Sequence, residues 1–174
     1  MKGNVEIKAR VSDPSRLARV ASRLSDAGHR RIRQEDFFFE SPRGRLKLRC
    51  FPDGRGELIY YERSDRSGPT TSSYVVVETP EALAMRQLLE RLLESRGVVR
   101  KTRDLYLSGQ TRIHLDEVER LGHFVELEVV LRDGQSESDG VLVAEHLMRA
   151  LGIRDQDLVA GAYIDLLEAA GGKR

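Results

Sequence analysis

Several stretches of this chain alternate apolar and charged residues so strictly that like charges fall on one face of one strand. From Asn4 to Val11, the odd positions Val5, Ile7, Ala9 and Val11 are apolar, while Glu6, Lys8 and Arg10 share the other side. Arg45, Lys47 and Arg49 oppose Leu46, Leu48 and Cys50. Arg112, His114 and Asp116 oppose Ile113 and Leu115, and Lys101 and Arg103 are spaced the same way. Glu126 and Glu128 oppose Val125, Leu127, Val129 and Leu131. Period-two alternation marks a strand with two unlike faces. In a single strand the charged face is ordinarily solvated. Like charges at neighbouring positions of one face repel, however, and the repeated layout asks for a cause. A closed or nearly closed barrel supplies one. Its apolar faces pack outward against helices, and its ionic faces line a wet tunnel where a guest compensates the charges withdrawn from bulk water. An open, solvated sheet is the alternative.

The remaining segments fit that architecture. Strands are expected at Arg33 to Glu40, Gly44 to Phe51, Glu57 to Arg63, Ser72 to Glu78, Val98 to Leu107, Thr111 to Val118 and His123 to Leu131. With the first run they make eight, joined by turn signals such as Pro52-Asp53-Gly54-Arg55-Gly56. A first helix is capped by Asp13, admits Pro14 at its first position and ends by Gly28. A second opens at Thr79-Pro80-Glu81, presents Leu83, Leu88, Leu89 and Leu92 to the core and stops at Gly97. Helices are also expected over Ser138 to Leu151 and Gln156 to Glu168, and the tail from 171 to 174 is expected to fray. The class is α+β, in one domain over residues 1–170. A length of 174 residues agrees with a single domain.

Composition excludes several functions. The 29 Lys and Arg nearly balance the 28 Asp and Glu, so the chain lacks the basic excess of a general nucleic-acid or membrane binder. No apolar run approaches the roughly 20 residues that cross a bilayer. No apolar stretch follows Met1-Lys2-Gly3-Asn4, so a cytoplasmic protein is expected. One cysteine, Cys50, cannot make an intrachain disulfide, and its place on an apolar strand face reads as packing. Four scattered histidines do not make a zinc site. His114 reads as a structural imidazole, and His29, His123 and His146 as surface or turn residues.

The charges point to phosphate. Arginine grips phosphate oxygens through paired hydrogen bonds, and clustered carboxylates suit a hard divalent cation. Together they fit a nucleotide or polyphosphate bound with Mg²⁺ or Mn²⁺. No phosphate-binding glycine loop is present, and Arg30-Arg31-Ile32-Arg33 reads as a solvated turn. In Phe37-Phe38-Phe39, Phe37 and Phe39 are assigned to the core and Phe38 is left open.

Asn4-Val5-Glu6-Ile7-Lys8 resembles the amino-terminal Glu-x-Glu-x-Lys signature of the CYTH superfamily, the triphosphate tunnel metalloenzymes. The stretch from His114 to Glu128 resembles the family's second acidic block. The ending Leu151-Gly152-Ile153 and Tyr163-Ile164-Asp165-Leu166-Leu167 is most similar to the class IV adenylyl cyclase branch. The resemblance implies an eight-stranded antiparallel β-barrel with flanking helices. It implies a metal-dependent enzyme that converts ATP to cyclic AMP and pyrophosphate. The alternatives are a thiamine or inorganic triphosphatase, which hydrolyses the terminal phosphate, and a catalytically weak phosphoanion-binding module. Glu6, Glu126 and Glu128 are implied as metal ligands, with Asp116 a ligand or partner of a metal-bound water. Lys8, Arg10, Lys47, Arg49, Lys101, Arg103 and Arg112 are implied to hold the triphosphate, with Arg63 the counterpart of a family lysine. Glu6, Lys8, Asp116, Glu126 and Glu128 carry the implied chemistry. Asn4 replaces the first signature Glu; an amide oxygen still binds a hard cation but brings no negative charge. A homodimer is expected of this kind of barrel, although no apolar seam marks it.

Overall fold

The computed structural model describes residues 2–171, so apart from Gly171 the expected tail lies outside them. The strands are β1 (Lys2–Arg10), β2 (Arg30–Phe39), β3 (Arg45–Cys50), β4 (Gly56–Arg63), β5 (Thr70–Thr79), β6 (Ser95–Ser108), β7 (Thr111–Val118) and β8 (Gly122–Val130). The helices are α1 (Pro14–Leu24), α2 (Ala82–Leu92), α3 (Glu137–Leu151) and α4 (Tyr163–Ala169). The strands close into a barrel in the order β1-β5-β4-β3-β2-β6-β7-β8, and every pairing is antiparallel. Closure removes the exposed strand edges that an open sheet would have to protect.

The barrel is apolar outside and ionic within. Val5, Ile7 and Ala9 of β1, Ile113 of β7 and Val125, Leu127 and Val129 of β8 point outward into a core shared with α1 and α3. Burying a Leu, Val or Ile side chain contributes about 1.5–3 kcal/mol, so this wall anchors the sheet. The α3 helix begins on a capping box, with Ser136 accepting from the Asp139 amide at 3.2 Å. That start lies one residue earlier than expected. Gly140 lets α3 lie close to the sheet, since a Cβ there would come within 2.8 Å of Val5 and 2.6 Å of Leu131.

A second cluster, Phe37, Phe39, Leu48 and Leu89, joins α2 to β2 and β3, with Cys50 packed against it. Here one expectation fails. Only Leu89 of the four expected leucines is buried; Leu83, Leu88 and Leu92 are 65%, 52% and 68% exposed. The helix rests on the narrow stripe Ala82, Met85 and Leu89, so leucines off that stripe face outward.

Gly97 also differs. It is not a helix stop but lies in β6 with φ 131°, beside the register shift between Phe38 and Phe39. A Cβ there would press on Ile164 of α4 at 3.3 Å. The expected helix from Gln156 to Glu168 is two pieces: a short 3₁₀ turn over Asp155–Asp157, then α4. Between them Val159 donates to the Lys8 carbonyl at 2.8 Å, which steers the chain across one end of the barrel. Phe38, Val99, Val118 and Phe124 pack against Ala162, Tyr163, Ile164 and Leu167 there. Among the described residues no helix is long and apolar enough to cross a membrane.

Candidate active site

The strand alternation aims the charged faces at one cavity of about 1130 Å³. An eight-stranded barrel has an interior just wide enough for side chains or one small ligand. Its lining includes eleven Lys and Arg side chains against six Asp and Glu. The chain as a whole carries only +1, so positive charge is concentrated in the tunnel. Cations facing one another in a shielded space repel strongly, and an anionic guest relieves that repulsion.

Asp36 on β2 organises the middle of the tunnel. It is 1% exposed and accepts from Lys47 at 2.8 Å, from Lys101 at 2.9 Å, and from Arg49 through Nε at 2.9 Å and a terminal nitrogen at 3.1 Å. One carboxylate thus holds three cations from β3 and β6, leaving a local surplus of positive charge. Burial pushes the Lys47 amine down to about 7, with Arg49 and Lys101 adding to the effect and Asp36 opposing it. Burial, with Arg103 and Arg49, likewise lowers Lys101. Asp36 itself is held well below the usual carboxylate range: burial works to raise it, but Arg49, Lys101 and Lys47 outweigh burial.

Arg103 on β6 lies one inward step along. It grips Asp116 of β7 through Nε at 2.7 Å and a terminal nitrogen at 2.5 Å, and the same terminal nitrogen reaches Glu126 of β8 at 2.6 Å. The Tyr163 hydroxyl also donates to Asp116, at 3.0 Å. Asp116 is therefore enclosed behind Arg103 and does not line the cavity. It orients Arg103 and offers no free oxygen to the tunnel.

The tunnel's closed end carries Lys8 and Arg63. Both donate to the Gly161 carbonyl at 2.8 Å; Lys8 sits 4.1 Å from the centre of the Tyr163 ring and 3.4 Å from Glu126. Burial brings the Lys8 amine down to about 8, with Glu126 resisting. Arg63 pairs with Glu6 at 2.7 Å.

Glu6 and Glu128 stand directly opposite each other in the β1–β8 register, as do Lys8 and Glu126. Two facing carboxylates destabilise a sheet unless cations intervene. Burial, Glu126 and Glu128 raise Glu6 despite Arg63. Burial opposes ionisation of Glu126, but Lys8 and Arg103 hold it well below the usual range. Glu128 accepts from Asn4 Nδ2 at 2.6 Å and pairs with Arg112 at 3.0 Å. Among the described residues no three metal-ligating side chains converge, because each glutamate is turned toward a cation. The donor set nevertheless fits a hard divalent ion. It consists of oxygens from neighbouring strands, and Asn4 Oδ1, fully buried beside Glu128, has no hydrogen-bond donor.

The tunnel thus gathers Glu6, Lys8, Lys47, Arg49, Arg63, Lys101, Arg103, Arg112, Glu126 and Glu128. Arg10 is exposed at the end of β1, with its guanidinium 5.0 Å from the Phe124 ring, and lies outside the cavity lining. His114 lines the tunnel as a buried neutral imidazole, pushed well below its ordinary range by burial and Arg103. Arg30, Arg31 and Arg33, expected in a solvated turn, belong to β2 and reach the tunnel mouth. Phe38 lines the wall beneath Lys47, whose amine is 5.5 Å from the ring centre. Sequence reasoning missed Asp36 and Tyr163. Asp36 shares strand parity with Gln34 and Phe38, opposite to Phe37 and Phe39, and that signal would have placed it inward.

The CYTH domain family matches residues 2–163. A Methanocaldococcus jannaschii protein named "Putative adenylate cyclase MJ0240" is 26% identical over 171 residues, spanning 93% of this chain and 97% of its own. The solved structure of the PH1012 protein from Pyrococcus horikoshii OT3 superposes with a TM-score of 0.82 at 26% identity, covering 94% of this chain and 98% of that one. A Hippeastrum protein, HpAC1, whose structure is described as revealing a dominant triphosphatase activity, has the same fold. Its TM-score is 0.65 at 15% identity, with 97% of this chain and 96% of that chain covered.

Proposed function

This chain belongs to the CYTH family, and from that premise we propose that it is a divalent-metal-dependent enzyme that converts ATP to cyclic AMP and pyrophosphate. The observation that carries the proposal is the surplus of buried cations around Asp36, set beside the row Glu6, Glu126 and Glu128. A triphosphate supplies the negative charge this arrangement lacks. Lys47, Arg49, Lys101 and Arg103 hold its non-bridging oxygens, and Asp36 and Asp116 fix the reach of those cations. Glu6, Glu126 and Glu128, with the Asn4 amide oxygen, would hold Mg²⁺ or Mn²⁺. Such an ion, when bound, supplies charge neutralisation on the phosphate and lowers the pKa of a coordinated nucleophile.

In cyclisation, the ribose 3′-hydroxyl attacks the α-phosphorus and pyrophosphate leaves in line. The Lys8 amine, at about 8, is close enough to neutrality to accept the hydroxyl proton. Arg63 and Arg103 remain charged throughout and balance the charge gathering on the departing oxygen. A second reading, hydrolysis of the terminal phosphate, is favoured by the same Lys8 amine, which serves a water as well as a hydroxyl. The resemblance to the Hippeastrum fold adds to that reading.

The test is product analysis after incubation with ATP or tripolyphosphate and Mn²⁺. Cyclic AMP supports the first reading and orthophosphate the second; saturable binding without either product leaves a phosphoanion-binding module. Glu126→Gln and Glu128→Gln are each expected to lower turnover at least about 100-fold with an unchanged circular dichroism spectrum. Full turnover in both variants removes the carboxylate row from the mechanism.

A further inference from the structure

The cations above account for phosphates and leave unexplained what reads the group attached to them. One side chain on the tunnel wall is polar, uncharged and unsatisfied. Gln34 on β2 is 5% exposed and lines the cavity, and its Oε1 is buried with no hydrogen-bond donor. A buried acceptor without a partner costs stability unless something else repays it.

Its position along the strand is informative. Gln34 shares inward parity with Asp36 and lies one inward step toward the mouth, opposite Lys101 in the β2–β6 register. The next inward residue is Ile32, opposite Arg103, and Leu105 projects from β6 above Lys101 and Arg103. Phe51 follows Cys50, the partner of Glu35, and lines the same cavity. An unpaired amide oxygen in a cavity that Phe51, Ile32 and Leu105 also line is the composition of a site for a flat ring with one polar edge. It lies just beyond the cations that hold phosphate.

We propose that Gln34 selects what the triphosphate carries, its Oε1 accepting a hydrogen bond from an exocyclic amino group on a heteroaromatic ring. Oε1 is the amide atom that is both buried and without a partner, and an amine on the ligand is the group it lacks. The terminal amide torsion of glutamine is soft, so Oε1 turns to meet an entering amine without moving the strand. Phe51 and Leu105 supply the faces between which the ring lies. The inference rests on the triphosphate reading and extends it from the phosphates to the organic group.

The test is isothermal titration without divalent ions, so that nothing turns over. The probes are tripolyphosphate, ATP against ITP, CTP against UTP, and thiamine triphosphate. ITP replaces the amino group of ATP with an oxo group, and UTP does the same for CTP. The expected result is about tenfold tighter binding of at least one amino ligand than of its oxo partner, the worth of one hydrogen bond to a buried acceptor. In Gln34→Leu and Gln34→Met that preference vanishes, while tripolyphosphate affinity stays within about twofold. The tripolyphosphate arm also reports folding of the variants. Whichever of ATP, CTP and thiamine triphosphate binds tightest identifies the ring.

Equal binding of both members of each pair, or tighter binding of the oxo members, overturns the inference while leaving the triphosphate reading intact. Equal loss of tripolyphosphate and ATP binding in both variants also overturns it, since Gln34 would then be structural. Absence of any tripolyphosphate binding to the wild type removes the triphosphate reading, and this inference with it.

Discussion

Filling the tunnel with a triphosphate should draw protons from solution, and the effect can be worked out from the Lys47 amine. Lys47 stands at about 7 and Lys8 at about 8 because burial disfavours their charged forms. A polyanion held by Lys47 restores its charged form toward the ordinary lysine value of about 10.4, while Lys8, paired with Glu126 at the closed end, keeps the neutral fraction that accepts the hydroxyl proton. At pH 8 an amine at about 7 is charged in roughly one molecule in eleven, and one at about 8 in roughly half. Binding at pH 8 should therefore take up about 0.9 protons at Lys47. The sign is fixed by which form binds. The charged amine attracts phosphate, so affinity is full below pH 7 and falls as pH rises through the free-state value. The fall approaches about tenfold per pH unit for Lys47 alone.

Titration of tripolyphosphate in buffers of different ionisation enthalpy measures the uptake directly. Comparison with Lys47→Arg isolates the lysine, because a guanidinium stays charged across this range and the ligand's own ionisation cancels in the difference. The variant should take up about 0.9 fewer protons at pH 8 and bind with a flatter pH profile. Equal proton uptake by wild type and variant would refute the argument, since it would mean that Lys47 is already charged in the empty tunnel.

Two further outcomes follow from the same geometry. Asp36→Asn leaves Lys47, Arg49 and Lys101 without their shared counter-ion; the variant should lose about 3–5 kcal/mol in urea unfolding, and tripolyphosphate should recover part of that loss. Asn4→Glu sets a second carboxylate against Glu128, so the metal-free protein should melt lower while Mn²⁺ binds more tightly. Unchanged Mn²⁺ affinity, read from the Mn²⁺ electron paramagnetic resonance signal, would place Asn4 outside the metal site.

Strand parity made most of the tunnel legible in the sequence. Lys8, Lys47, Arg49, Lys101, Arg103, Glu126 and Glu128 were assigned to inward faces from alternation, and all line the cavity. What alternation does not encode is which strand end reaches how far. Arg10 keeps the parity of Lys8 yet sits beyond the cavity because β1 ends there. Asp116 keeps the parity of Arg112 and His114 yet is covered by Arg103 and Tyr163. Asp36 was hidden by its neighbours, since Phe37 and Phe39 read as core and drew attention from the carboxylate before them.

The helical parts were less legible for a different reason. On α2, leucines on every side blur the period that would separate a buried stripe from an exposed one, so Leu83, Leu88 and Leu92 could not be told from Leu89. Tyr163 illustrates the deeper difficulty. Its role depends on α4 being cut off from the 3₁₀ turn over Asp155–Asp157, and on the hydrogen bond from Val159 to Lys8 that steers the connection over the barrel end. That contact joins the connection to the far end of the sequence, on β1, so it is a property of the assembled barrel and not of residues 155–169. The closed end, where Lys8 and Arg63 share the Gly161 carbonyl, is for that reason the part of the tunnel that a single sequence states least clearly. It is also where the proposed chemistry depends most on tertiary placement: the Lys8 amine acquires its shifted proton affinity from burial beneath Tyr163 and not from any neighbour in sequence.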